Sequence, residues 1–183
     1  ATYVVRGRVE GPEEFRRLRE ALAEDPRGVG LFSDPKIAAM VCPGNPIGNH
    51  EAVSQLLKAS LLQDRGMDGS NVRVAVVDSG VNIEYLRKMG VKPRFDPENS
   101  WTPVPGLTPG SMPVDHGTMC AFDVCITAPN CTLLDFPLLQ SRTSGGSAME
   151  GVLSDAVKAY GKLLDMLLNA GGARPALVVN NSW

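Results

Sequence analysis

The chain has 183 residues, a formal net charge of −2 and a hydrophobic fraction of 43%. That length and apolar content suit one domain with a small extension, and the weak charge leaves no footprint for nucleic acid or an anionic membrane surface. No run of about eighteen apolar residues occurs, so no transmembrane helix is expected, and Ala1-Thr2-Tyr3 shows no signal peptide, which leaves the compartment open between the cytoplasm and secretion after processing.

In chain order, Thr2 to Arg6 reads as a strand. Gly11-Pro12-Glu13-Glu14 starts a helix, with proline in the first turn and carboxylates at the positive end of the dipole. Phe15, Leu18 and Leu22 give it an apolar stripe. Gly28 to Gly30 ends that element, and Lys36 to Val41 reads as a second strand. Residues 1–45 thus form a small α+β extension, closed by the turn-rich linker Cys42-Pro43-Gly44-Asn45-Pro46-Ile47-Gly48. The four cysteines, Cys42, Cys120, Cys125 and Cys131, lack paired Cys-x-x-Cys spacing, so no metal site is expected from them. One disulfide and a full set of free thiols both fit.

From about residue 50 to 183, helices and strands alternate, which argues a parallel sheet with helices on both faces. Val53 to Leu62 is a helix, and Val72 to Val77 an apolar, β-branched run typical of a buried parallel strand. Asp78 follows that run directly, where open α/β sheets place their ligands. A carboxylate there is partly desolvated and needs a partner. It can cap the Asp78-Ser79-Gly80 turn or the next helix, or it can orient a histidine.

Residues 93–114 form a Pro-rich loop that leads to His116, one of only two histidines. His116-Gly117-Thr118 opens an apolar helix. The positive end of the helix dipole favours the neutral imidazole that a general base must be. His50, in Gly48-Asn49-His50-Glu51, looks like an ordinary solvated histidine. Further on, Thr132 to Leu139 is a strand and Ser141 to Ser147 a Gly/Ser loop. Glu150 to Asn169 is a helix, with Val152, Ala156, Leu163, Leu164 and Leu167 mostly on one face, and Gly171-Gly172 ends it. Ala176 to Asn180 is the last strand.

Three motifs in this order carry a family resemblance. Val53 to Ala59 with Gly69 to Val81 closely resembles the start of mature bacterial subtilisins. Asp115-His116-Gly117-Thr118, followed by Ala128-Pro129, resembles their histidine segment. Ala176 to Trp183 resembles the strand that lines their substrate cleft. Asp before His, with the nucleophile last, is the subtilisin order. The resemblance covers about residues 50 to 183. It implies a three-layer subtilisin-like sheet and a serine endopeptidase in which Asp78 orients His116. It also implies that Ser144, Gly145 and Gly146 form the cleft edge that pairs with substrate backbone, and that Ser182 belongs to the substrate-pocket wall. An ordinary connection is the alternative for the Ser144 loop. The N-terminal strand-helix-strand pattern is either propeptide-like or a plain structural extension.

The sequence also departs from the family pattern. No serine in a recognisable nucleophile setting follows Ser182, and no oxyanion-hole amide follows either, so the sheet is expected to be incomplete at the C-terminal side. Losing the serine costs subtilisin on the order of a million-fold in rate. Ser79 belongs to the Asp motif, and Ser182 to the pocket wall. Only twelve positions separate His116 from Ala128, which leaves no room for the calcium loop of many relatives; one carboxylate, Asp123, cannot supply the about six to eight oxygens that calcium takes. Cys120, four residues after His116, lies on the same helix face. It resembles the cysteine of the proteinase K branch, which implies mercurial sensitivity; a buried small hydrophobe is compatible with that and is the reading favoured here.

The expected function is therefore serine endopeptidase chemistry, with Asp78 and His116 supplied by this chain and the serine by a C-terminal segment. The expected partners are that segment and a peptide or protein substrate, with no cofactor, nucleic acid or membrane. The alternatives are a catalytically dead subtilisin-like binding module and an unrelated doubly wound domain that binds a small ligand at its strand ends.

Overall fold

The computed structural model describes residues 3–38, 48–140, 150–171 and 176–183. The chain divides into two units, Ala1–Pro35 and Lys36–Trp183.

The first unit holds one helix, α1 (Pro12–Glu24), with proline in its first turn beside Glu13 and Glu14, as its sequence predicts. The expected stripe of Phe15, Leu18 and Leu22 covers nothing fully: no residue of α1 is buried. Its side chains are tied instead by surface ion pairs, Arg16 to Glu13 and Glu20 at 2.8 Å each and Arg17 to Glu13 at 3.3 Å. Residues 3–10 form no strand, which corrects the expectation of a strand over Thr2–Arg6 for its residues 3–6; Thr2 lies outside the described residues. A strand needs a pairing partner, and none of the described residues of this unit supplies one.

In the second unit β2 (Val72–Val77), β3 (Arg94–Phe95), β4 (Thr132–Phe136) and β6 (Ala176–Asn180) form one parallel sheet in the order β3-β4-β2-β6. Strand side chains alternate between faces, and two clusters follow from that. Val74, Val76 and Leu133 pack with Ile83 and Leu86 of α4 (Ile83–Lys88) and with Ala121 and Cys125 of α5 (His116–Thr127). Ala75, Val77, Leu134 and Phe136 face the other way, onto Ala156, Ala159 and Leu163 of α6 (Leu153–Leu168). Helices therefore cover both faces of a parallel sheet. Among the described residues β6 is an edge strand, with no fully buried residue and Val178 53% exposed.

The structure differs from expectation at several further points. The single helix of Val53–Leu62 is two, α2 (His50–Leu56) and α3 (Ala59–Asp64), because Lys58 adopts a left-handed conformation with φ 54°. That turn delivers Ala59 into the core at 1% exposure. The strand from Thr132 stops at Phe136, since Pro137 has no N–H to continue the ladder, and Leu138–Gln140 form a 3₁₀ turn. Glu150–Val152, expected as helix, is β5, antiparallel to β1 (Lys36–Ala38). Lys36 bonds Glu150 at 3.0 Å across that pair. Lys36–Ala38, read from sequence with the N-terminal extension, thus belongs to the second unit, and residues 39–41 of that expected strand lie outside the described ones. Finally, the buried face of α6 is Ala156, Ala159 and Leu163; Leu164, about 100° further round the helix, is 54% exposed.

Among the described residues no helix is long and apolar enough to cross a membrane.

Candidate functional site at the carboxyl end of the parallel sheet

Asp78 follows β2 directly and extends its pairing with β4: its N–H donates to Phe136 O and its carbonyl accepts from Leu139 N, both at 3.1 Å. The chain then turns away through Gly80, whose φ of 105° suits glycine. His116 opens α5 with Asp115 as N-cap, the Asp115 carboxylate accepting the His116 backbone N–H at 2.8 Å. The helix start docks on the Asp78 turn through two close approaches. Gly117 N–H, one of the donors a helix start leaves unpaired, donates to Ser79 Oγ at 2.9 Å. A Cβ on Gly117 would lie 2.6 Å from the Gly80 carbonyl oxygen, so only glycine lets the two segments meet. Thr118 Oγ1 also accepts the Asn82 N–H at 3.0 Å.

This docking brings the two sequence-predicted residues together. His116 Nδ1 lies 2.9 Å from Asp78 Oδ1 and 3.0 Å from Oδ2. The Asp78 side chain is fully buried and the His116 ring 24% exposed. A carboxylate only accepts, so Nδ1 carries a proton, and in the neutral ring the lone pair is on Nε2. Asp78 Oδ1 also accepts the Ser79 N–H at 2.7 Å, so the turn-capping role and the histidine-orienting role coexist in one carboxylate.

Cys120, one helical turn on, places Sγ 3.8 Å from His116 Nδ1 and 3.9 Å from Asp78 Oδ2. Burial pushes its thiol up from the usual range; a hydrogen bond with Ser182 opposes this, and the charges of Asp78 and Asp123 add to it. A protonated thiol is a poor nucleophile, so Cys120 is a half-buried packing group here. Burial likewise raises the Asp123 carboxyl. Cys125 and Cys131 are buried free thiols in the same core, and the hydrogen bond to Cys131 together with burial pushes Cys125 up. Cys42 lies outside the described residues.

Asp78, His116 and Cys120 bring one ligand atom each within 4.8 Å of one another, a spacing that suits a cation. The carboxylate–imidazole hydrogen bond already engages the Asp78 oxygens and Nδ1, and three donors fall short of a closed tetrahedral site. In this arrangement the buried carboxylate orients the imidazole.

Of the remaining expected site residues, Ser182 is half-buried, bonds Asn180 Oδ1 at 3.2 Å, and sits beside Cys120 and so on the His116 side. Ser144, Gly145 and Gly146 lie outside the described residues.

Three supporting groups escaped the sequence reading. Gln140 is buried and donates Nε2 to the Ser79 carbonyl at 3.0 Å. Trp183 Nε1 donates to the Val77 carbonyl at 2.7 Å. Asp135, wholly buried on β4, accepts from Val81 and Gly110. Asp135 carried a readable signal: a carboxylate inside Leu133-Leu134-Asp135-Phe136 is as anomalous as Asp78 after its own apolar run. A hollow of 510 Å³ lined by Arg73, Lys162, Asp165 and Asn169 lies at the amino end of β2, away from this chemistry. No family model, curated protein or solved structure matches the chain, and the site stands on its own geometry.

Proposed function

We propose that Asp78 and His116 are the carboxylate and general base of a subtilisin-like serine endopeptidase, with a serine later in chain order as nucleophile. The supporting observation is the contact of a fully buried carboxylate with Nδ1 of a partly exposed histidine at 2.9 Å, at the carboxyl end of a parallel strand. That contact fixes the imidazole tautomer and stabilises the imidazolium that forms when Nε2 takes the serine proton. The serine oxygen then attacks the peptide carbonyl, and His116 hands its proton to the leaving amine. Ser182 contributes to the substrate-pocket wall, and Ser144, Gly145 and Gly146 offer main-chain groups to an extended peptide. The partners in this reading are a peptide or protein substrate and the segment that carries the serine; the chemistry uses no cofactor.

The test is hydrolysis of casein and of a fluorogenic peptide by a longer form of the chain that includes natural sequence after Trp183, together with labelling by a fluorophosphonate. Turnover that falls by several orders of magnitude in His116→Ala and Asp78→Ala supports the reading. A folded long form that binds peptide without turnover or labelling overturns it in favour of a binding module. Residues 1–183 alone are expected to give no turnover, and clear turnover abolished by His116→Ala would defeat the assignment of the nucleophile to a later serine.

A further inference from the structure

We propose that Asp135 is a positioning residue for the Asp78–His116 pair: its carboxylate clamps the segment leaving Asp78 to the segment arriving at His116. The proposal rests on the reading of those two residues as a working pair. Asp135 lies opposite Val76 in the β2–β4 register, and two residues after Leu133, so it takes a place on the face where Val76 and Leu133 are core. It is fully buried. A charge there needs donors, and two backbone amides supply them. Val81 N–H donates to Oδ1 at 3.1 Å and Gly110 N–H to Oδ2 at 2.7 Å.

Those two amides are informative by their position. Val81 comes three residues after Asp78, and Gly110 six residues before His116. They mark the neck of the long excursion that joins the two. At that neck the backbones also bond each other, Ile83 N–H to Gly110 O at 2.8 Å and Met112 N–H to Val81 O at 3.2 Å, and Asn82 Nδ2 donates to Met112 O at 2.7 Å. The backbone of Asp135 itself ties a third point of the excursion: Ser100 Oγ accepts its N–H at 2.9 Å, and its carbonyl accepts the Trp101 N–H at 3.1 Å. One side chain thus sets the spacing between two segments whose separation fixes the carboxylate–imidazole contact. Groups that touch no substrate but hold the reacting ones in register contribute in this way. A carboxylate is the side chain that accepts from two directions at this length; asparagine offers one oxygen and presents N–H groups to the other amide. The Asp135 carboxyl is pushed up to about 7: burial raises it, the Gly110 and Val81 amides pull against that rise, and the Asp78 charge adds to it.

The test is imidazole ¹⁵N and amide NMR on the whole chain, in which His50 is the internal control. In the wild type, a slowly exchanging His116 Nδ1 proton reports the bond to Asp78. In Asp135→Asn that proton is expected to exchange about tenfold faster, the loss of one hydrogen bond to a charged acceptor, and the His116 titration moves while His50 stays still. A folded Asp135→Asn chain with an unchanged His116 proton and titration overturns the clamp. Absence of that proton in the wild type overturns the pairing itself, and the proposed function with it. Should Asp135→Asn fail to fold, the wild-type pH series decides: the Val81 and Gly110 amides and the His116 ring are expected to respond to one shared titration, and independent responses overturn the clamp.

Discussion

The two units of this chain are held by different physics. In the first, α1 buries nothing and carries three ion pairs between exposed arginines and glutamates. In the second, two apolar clusters sandwich a parallel sheet, and nearly every polar group at the carboxyl end of β2 has a named partner. Exposed ion pairs are worth about 0–1 kcal/mol each, whereas a buried large side chain contributes several times that. Stability and chemistry therefore reside in the same unit, and substitutions should sort accordingly.

The largest effect is expected from Phe136→Ala. Phe136 is fully buried between the sheet and α6 and stacks on Trp101. Its truncation should cost about 3–5 kcal/mol, read as a lower denaturation midpoint at unchanged slope. A loss below about 1 kcal/mol would break the contrast, because the sheet would then not depend on that core. Next comes Gly117→Ala, which drives a Cβ into the Gly80 carbonyl and should cost about 1–3 kcal/mol. It sharpens the comparison by showing that core strain reaches the site: the His116 ring resonances should move with the melt.

A third effect is a change of slope. Asp135, raised to about 7 by burial, binds its proton more tightly folded than unfolded, where a carboxyl titrates near 3.9. The folded chain then holds more protons between about pH 4 and 7, so stability from this group is full below that window and is lost as pH rises through it. Asp135→Asn should flatten that part of the pH–stability curve, as measured by urea midpoints at fixed pH values. An equally steep curve in the variant would deny that Asp135 is its source. The smallest effect belongs to the first unit. Glu13→Gln removes the carboxylate shared by Arg16 and Arg17, and should change the global midpoint by less than about 0.5 kcal/mol. A loss as large as that of Gly117→Ala would erase the distinction between the two units.

The sequence made legible what is local. Val72–Val77, the histidine helix and Ala176–Asn180 could be read because apolar runs and flanking glycines act within a few residues. The Asp78–His116 contact could be anticipated from two motifs. What stayed hidden depends on distant partners or on single torsions. Three residues at Glu150–Val152 become a strand only because Lys36–Ala38, far back in the chain, pairs with them. Arg94–Phe95 is too short for a periodicity to show, and Lys58 breaks its helix through one backbone angle. Asp135 stands out as a carboxylate in an apolar run, but its partners do not: they are the backbone amides of Val81 and Gly110, and amides leave no mark on a sequence.

The hydrogen bond from the Trp183 indole to the Val77 carbonyl has an optical consequence. The chain has two tryptophans, and both gauge the same end of the sheet. Trp101 lies stacked on Phe136 at 6.3 Å, with its backbone N–H on the Asp135 carbonyl. Trp183 rests on the last residue before Asp78. Loosening of the Asp78 turn lets water replace the Val77 carbonyl at the Trp183 indole, and its emission shifts to the red; repacking around Asp135 alters the quenching of Trp101. With Trp101→Phe and Trp183→Phe to separate the two signals, the natural fluorescence of the chain becomes a two-channel reporter of its own site, needing no dye and no substrate.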